Sequence, residues 1–361
     1  MAQPVSNPWF TSTPASTPAS TPAVMGGYSG VETALNFGDP AKELDALRSN
    51  CGIFALDWRA KVTATGKDRV RWLHNMVTNN VRDLVLEHGN YNFVLNVQGR
   101  ILGDLYIYNR GESLMLDTDS VQVEPLLTAM KRYIIMDKVE LTNASETILA
   151  LGICGPKAEA ILGAAGINAS GLEPMEIRNQ TADGIAISLV RGPEQKPGWY
   201  EVWLEPTNAE AVWKMLVNAG AQPVGAEAVE TWRVLRGVPR YGQDIRDRDL
   251  PQETEQTQAL SFTKGCYIGQ EIVERIRSRG QVHRKFTGFE FADALPAVGK
   301  FESEGRTLAE ITTALRVSTA EGEKNLGLGY IRRESAAAGA QVDLGGNKAK
   351  LVDLPFERFE I

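Results

Sequence analysis

Apolar positions in this chain fall into short runs that change period several times. Residues 91–97 and 101–108 alternate apolar with polar, and Gln98-Gly99-Arg100 between them supplies a turn, so the stretch reads as a β-hairpin. Strand geometry puts Ile101, Gly103, Leu105 and Ile107 on one face and Leu102, Asp104, Tyr106 and Tyr108 on the other. A carboxylate set among apolar and aromatic side chains suits a flat heterocycle bearing N–H donors; an exposed face at a sheet edge is the competing reading. After Gly66-Lys67-Asp68 the period lengthens. Val70, Leu73 and Val77 follow helical spacing, with His74 beside them as a packed histidine.

The same reading predicts helices over 42–50, 121–135, 157–163, 208–220 and 270–278, and strands over 61–65, 148–153, 185–191 and 200–204. In the last helix Ile272, Val273 and Ile276 share a face, Glu271 and Arg275 are spaced for an ion pair, and Gly280 ends the run. Strands and helices mix without the regular alternation of a doubly wound sheet, and neither a GxGxxG nor a Walker pattern occurs. The class is therefore α+β. Beyond 280 short alternating runs are separated by Gly299, Gly305, Gly322, Gly339 and Gly345-Gly346, which predicts a small antiparallel β-barrel over 281–361. The Ser/Thr/Pro/Ala tract at 11–23 cannot bury enough apolar surface to order itself, so 1–30 is expected to be a disordered tail and 31–280 the body.

Composition narrows the function classes. A net charge of −7 disfavours a general grip on a nucleic-acid backbone, so direct nucleic-acid binding is not expected. Cys51, Cys154 and Cys266 are scattered and form no C-x-x-C, which fits a reducing, cytoplasmic setting. With only His74, His88 and His283 besides, a self-contained zinc or iron–sulfur site is not expected, since such sites take about four ligands at recognisable spacings. No run of about 18 apolar residues occurs, so no membrane span is predicted.

Candidate chemistry gathers in one stretch. Lys264-Gly265-Cys266-Tyr267-Ile268-Gly269-Gln270-Glu271 sets a thiol beside a cation, between two glycines, at the start of a predicted helix. A lysine and a helix N-terminus both favour thiolate over thiol, making Cys266 with Lys264 a candidate nucleophile or cluster ligand. A small buried hydrophobe is the alternative. The one dense basic run, Arg275, Arg277, Arg279, His283, Arg284 and Lys285, could meet a polyanion or an acidic partner, or be an ordinary solvated surface.

That eight-residue segment resembles the motif of the YgfZ-type folate-binding proteins, relatives of the glycine-cleavage T-protein (aminomethyltransferase). Its flanks do too: Gly237-Val238-Pro239, Gly242, Asp244, Leu250-Pro251-Gln252-Glu253 and Arg275. The resemblance implies a three-part ring, with a body of two mixed α/β modules and the C-terminal barrel around a tetrahydrofolate. It implies that Asp104, Glu201 (in Tyr200-Glu201) and Arg233 hold that folate, the glutamate on the aminopyrimidine edge and the arginine on the folate carboxylate. The T-protein relatives carry an acidic pair on the strand after the glycine turn; Gly103-Asp104 here has one acid, which argues against aminomethyl transfer and leaves folate binding open. The leading implication is a folate-binding accessory protein for assembly or repair of iron–sulfur clusters, including those of tRNA-modifying enzymes. Its partners would be iron–sulfur enzymes or assembly proteins. The alternative is a folate-dependent aminomethyltransferase or methyltransferase.

Overall fold

The computed structural model describes residues 23–193, 197–280, 282–319 and 322–356. Three larger sheets and a short hairpin organise the chain. In the first sheet the order is Gly89–Leu95, Ile101–Asn109, Leu114–Asp119, Arg59–Thr65, Glu140–Asn143, all antiparallel. The alternation read at 101–108 is realised. Ile101, Leu105 and Ile107 are buried in the core, and on the other face Leu102, Asp104 and Tyr106 are half-buried. Helix Ser120–Lys131 covers the core face, ending four residues short of the expected 135.

The second sheet runs Ile177–Ala182, Ile185–Arg191, Trp199–Leu204, Leu149–Cys154, Gly52–Ala55, Gln222–Pro223, with helices Ala158–Ala164 and Ala209–Asn218 packed on it. Helix Ala226–Leu235 then carries the chain between the two sheets. The mixed α/β body matches the class expected.

The C-terminal part is a six-stranded antiparallel sheet, ordered Gly299–Ser303, Arg306–Thr319, Gly322–Arg332, Arg284–Phe291, Asn347–Val352, Gln341–Leu344. Its first and last strands share no ladder among the described residues, so it is an open sheet where a barrel was expected. Glycine-spaced runs count strands, but closure depends on pairing between distant edges, which local pattern does not encode. An ionic joint seats this sheet on the body. Arg284 reaches Asp249 (2.6 Å), Glu253 (3.0 Å) and Glu310 (3.3 Å) and lies over the Tyr330 ring. Thr312 and Thr313 donate to the fully buried Asp244 (2.5 and 2.7 Å). Part of the basic run thus serves an internal joint, while Arg275 makes the expected pair with Glu271 (2.8 Å).

One boundary moves. The tail expectation for 1–22 lies outside the described residues, but Val24–Tyr28 is a strand paired with Val31–Asn36. Tyr28 anchors it, edge-on to Trp58 at 4.8 Å with its hydroxyl donating to Glu230 (2.8 Å). Five residues beside a low-complexity tract carry too little signal to show such a partner.

Candidate functional site

A cavity of about 660 Å³ opens where the first two sheets meet helix Ala226–Leu235 and the segment 236–258. The volume falls within the range of sites for drug-sized ligands. The hairpin face supplies Asp104, Tyr106 and Tyr108; the second sheet supplies Trp199 and Glu201; the helix supplies Trp232 and Arg233. Asp104, Glu201 and Arg233, distant in sequence, therefore line one space.

Asp104 is held by three hydrogen bonds with two side chains. Tyr91 donates to Oδ2 (2.6 Å), Gln122 donates to Oδ1 (2.8 Å), and the Asp104 N–H donates back to Gln122 (3.0 Å). Burial raises its carboxyl above the ordinary aspartate range, and the charge of Asp119 adds to that, against the hydrogen bonds of Tyr91 and Gln122 and the nearby Arg59. Among the described residues three acids line the cavity. Asp119 pairs with Arg59 (2.8 Å) and Glu201 lies 3.5 Å from Lys61, whereas Asp104 has no ion pair among the described residues. Strand alternation accounts for the missing second acid. A side chain at Gly103 would meet Leu126 (2.7 Å) and Gln122 (2.8 Å) on the helix-covered face, away from the cavity.

Glu201 is gripped on one side. Trp203, two residues along the same strand, donates its indole N–H to Oε2 (2.7 Å), and Lys61 approaches the same oxygen. Oε1 has no hydrogen-bond partner among the described residues. The carboxylate thus presents one open acceptor in place of the two-oxygen edge anticipated.

Arg233 lines the cavity, but its donors are engaged. Nε and Nη2 bond Glu230 (2.9 and 2.7 Å), and Nη1 bonds Asp244 (2.7 Å) and the Val238 carbonyl. Glu230 is held down to about 2; burial opposes this, and Arg233 and Arg240 overcome it. The guanidinium ties the helix to the segment that carries the C-terminal sheet.

The Cys266 segment lies elsewhere. Cys266 is exposed and does not line the cavity. The helix begins at Gln270 behind Gly269, so the thiol sits outside its N-terminal turn. Lys264 is buried, and its ammonium donates to the carbonyls of His74, Val77 and Asn79, closing the end of helix Arg69–Met76. Desolvation and Arg82 draw Lys264 down to about 7. It is a cap on a helix end where a partner to the thiol was expected. Gly269 has φ 81°, and a Cβ there would lie 2.6 Å from the Asn96 carbonyl, which explains a glycine at that place. Gly265 brings the segment over His74, which is buried as expected, accepts the Arg82 N–H at Nδ1 (3.2 Å), and is pulled down to about 4, chiefly by burial.

Sequence reasoning missed Arg59, Lys61, Asp117 and Asp119. Lysine and aspartate in short strands read as surface residues, and only their pairing across strands Arg59–Thr65 and Leu114–Asp119 betrays burial.

Comparison with known proteins agrees with this architecture. Residues 17–264 match the GCVT N-terminal domain family. The match ends at Lys264, two residues before Cys266. An aminomethyltransferase of Geobacillus kaustophilus is 27% identical, covering 92% of this chain and 94% of the relative, and one of Bacillus subtilis is 28% identical over 91% and 94%. The crystal structure of glycine cleavage system aminomethyltransferase T from Bartonella henselae superposes with a TM-score of 0.83 at 20% identity, covering 93% of this chain and 95% of that one. Among the described residues no helix is long and apolar enough to cross a membrane.

Proposed function

Because the chain belongs to the glycine-cleavage T-protein superfamily, we propose that its central cavity binds a reduced folate and that the protein is a folate-dependent one-carbon transferase of the aminomethyltransferase type. The observation that carries this reading is Asp104, the one cavity acid without an ion pair among the described residues, half-buried and raised in pKa. Perturbed carboxyls in clefts are where proton transfer is found. The fit of a pteridine is supported by the aromatic walls and by the open Oε1 of Glu201, an acceptor for the exocyclic amino group. The objection raised by Gly103 loses its force, since a second acid there would face Leu126 and Gln122.

The folate, when bound, would supply the nitrogen that takes up the one-carbon unit. Asp104 would hold or move a proton beside it, fixed in place by Tyr91 and Gln122. Glu201 would orient the heterocycle, and Trp199 and Trp232 would keep water from its faces. The test is turnover of an aminomethyl donor with tetrahydrofolate, followed as ammonia release, beside direct folate binding. Absence of binding at millimolar folate would remove the proposal.

The pH dependence has a defined sign. Tyr91 stabilises the charged form of Asp104, so Tyr91→Phe raises that carboxyl further. The acid limb of the pH–rate profile is expected to move to higher pH; an unmoved limb means that Asp104 does not set it.

A second reading, an accessory role in iron–sulfur cluster assembly or repair, is supported by one observation. Cys266 is exposed, outside the cavity, in a segment held by Lys264 and Gly269. On that reading Cys266→Ser leaves folate chemistry intact and lowers cluster-dependent enzyme activity in cells. Cluster enzymes of normal activity in the variant would retire it.

A further inference from the structure

Lys61 is a fully buried cation that the chemistry above does not use. It projects from strand Arg59–Thr65 of the first sheet, its side chain 1% exposed, and reaches the boundary with the second sheet. There its ammonium bonds Asp117 (2.7 Å), lies 4.4 Å from the centre of the Trp203 ring, and stands 3.5 Å from Glu201 Oε2.

The plain explanation is a structural pair with Asp117. The charges around it argue for more. Arg59 already satisfies Asp117 through two contacts, Nε to Oδ1 (3.2 Å) and Nη2 to Oδ2 (3.0 Å), and together with Lys61 it holds that carboxyl below the usual range despite burial. Asp117 thus keeps a cation without Lys61. For Glu201, Lys61 is the sole ion-pair partner among the described residues, and Arg59 acts on it only from a longer range. A carboxylate facing a largely apolar cavity carries a desolvation cost that a nearby cation offsets.

We propose that Lys61 is a positioning residue: with the Trp203 indole it holds Glu201 by Oε2 and turns Oε1 to the cavity, and it thereby selects ligands bearing an exocyclic amino donor at that point. The selectivity rests on the folate reading of the cavity; the hold on Glu201 does not. Opposite a fixed carboxylate oxygen a donor gains a charge-assisted bond, while an isosteric ligand without the donor leaves the oxygen unpaired.

The test pairs two probes with one substitution. The intact protein is titrated with 5-formyltetrahydrofolate and with its analogue lacking the 2-amino group, as wild type and as Lys61→Met, which keeps the length of the stem and leaves Asp117 to Arg59. Wild type is expected to prefer the amino ligand by about 10- to 100-fold. Lys61→Met is expected to reduce that preference to about threefold or less, while affinity for the analogue stays within about twofold. A merely structural lysine would weaken both ligands alike, and that result overturns the proposal. A crystal structure of ligand-free Lys61→Met gives a readout independent of folate. The Glu201 carboxylate is expected to leave Trp203, and a carboxylate still on the indole refutes the positioning role. If wild type binds neither probe while Glu201 moves in the variant, the folate reading falls and the role of Lys61 stands. Should Lys61→Met not fold, Lys61→Gln, which keeps a donor toward Asp117, carries the same expectations.

Discussion

Replacing Asp104 with Asn is expected to lower folate-dependent one-carbon transfer by about 10²- to 10⁴-fold, the range associated with loss of a positioned general acid or base. The substitution keeps the volume of the side chain, so the hairpin and its core face should be undisturbed. Tyr91 donates to Oδ2 and Gln122 to Oδ1, and an amide oxygen can replace only one of these acceptors. That mismatch is expected to cost about 1–3 kcal/mol of stability, read from a denaturant titration, far less than would unfold the body. Folate affinity should change little, because Glu201 and the aromatic walls remain. The measurements are steady-state turnover and a binding isotherm on the same preparation. Turnover within tenfold of wild type would remove Asp104 from the chemistry.

The second large effect concerns stability. Arg233→Met leaves Asp244, fully buried, and Glu230 without their shared cation. Removing one partner from a buried ion pair costs about 3–5 kcal/mol, because the remaining charge stays desolvated. Arg240, 3.1 Å from Glu230, and the hydroxyls of Thr312 and Thr313 on Asp244 relieve part of that, which favours the lower end. The expected result is a clear fall in the denaturation midpoint, seen first in the coupling of the C-terminal sheet to the body. Unchanged stability with weakened binding of a folate carboxylate would return Arg233 to the ligand.

The hairpin shows how much local pattern can carry. Alternation over 101–108 settles which side chains share a face, and Asp104, Tyr106 and Tyr108 do reach the cavity together. Alternation does not reveal the burial of Lys61 and Asp117. Each is a charged residue in a short strand, and burial follows only once Arg59–Thr65 lies beside Leu114–Asp119 with Glu201 across the sheet boundary. Lys264 fails for a related reason. Proximity in sequence to Cys266 suggested a cation for the thiol, but its ammonium finds three carbonyls at and just beyond a helix end nearly two hundred positions away.

By itself the sequence determined the mixed α/β class, the hairpin, the amphipathic helices and the residue types suited to a heterocycle, because these follow from periods of two to four residues and from glycine. Tertiary structure alone decided which charges are neutralised and, among the described residues, which cavity acid has no ion pair and that the edge strands of the last sheet do not pair. Those outcomes depend on partners brought together by long-range packing, and the cost of burying a charge is set by neighbours that no local window contains.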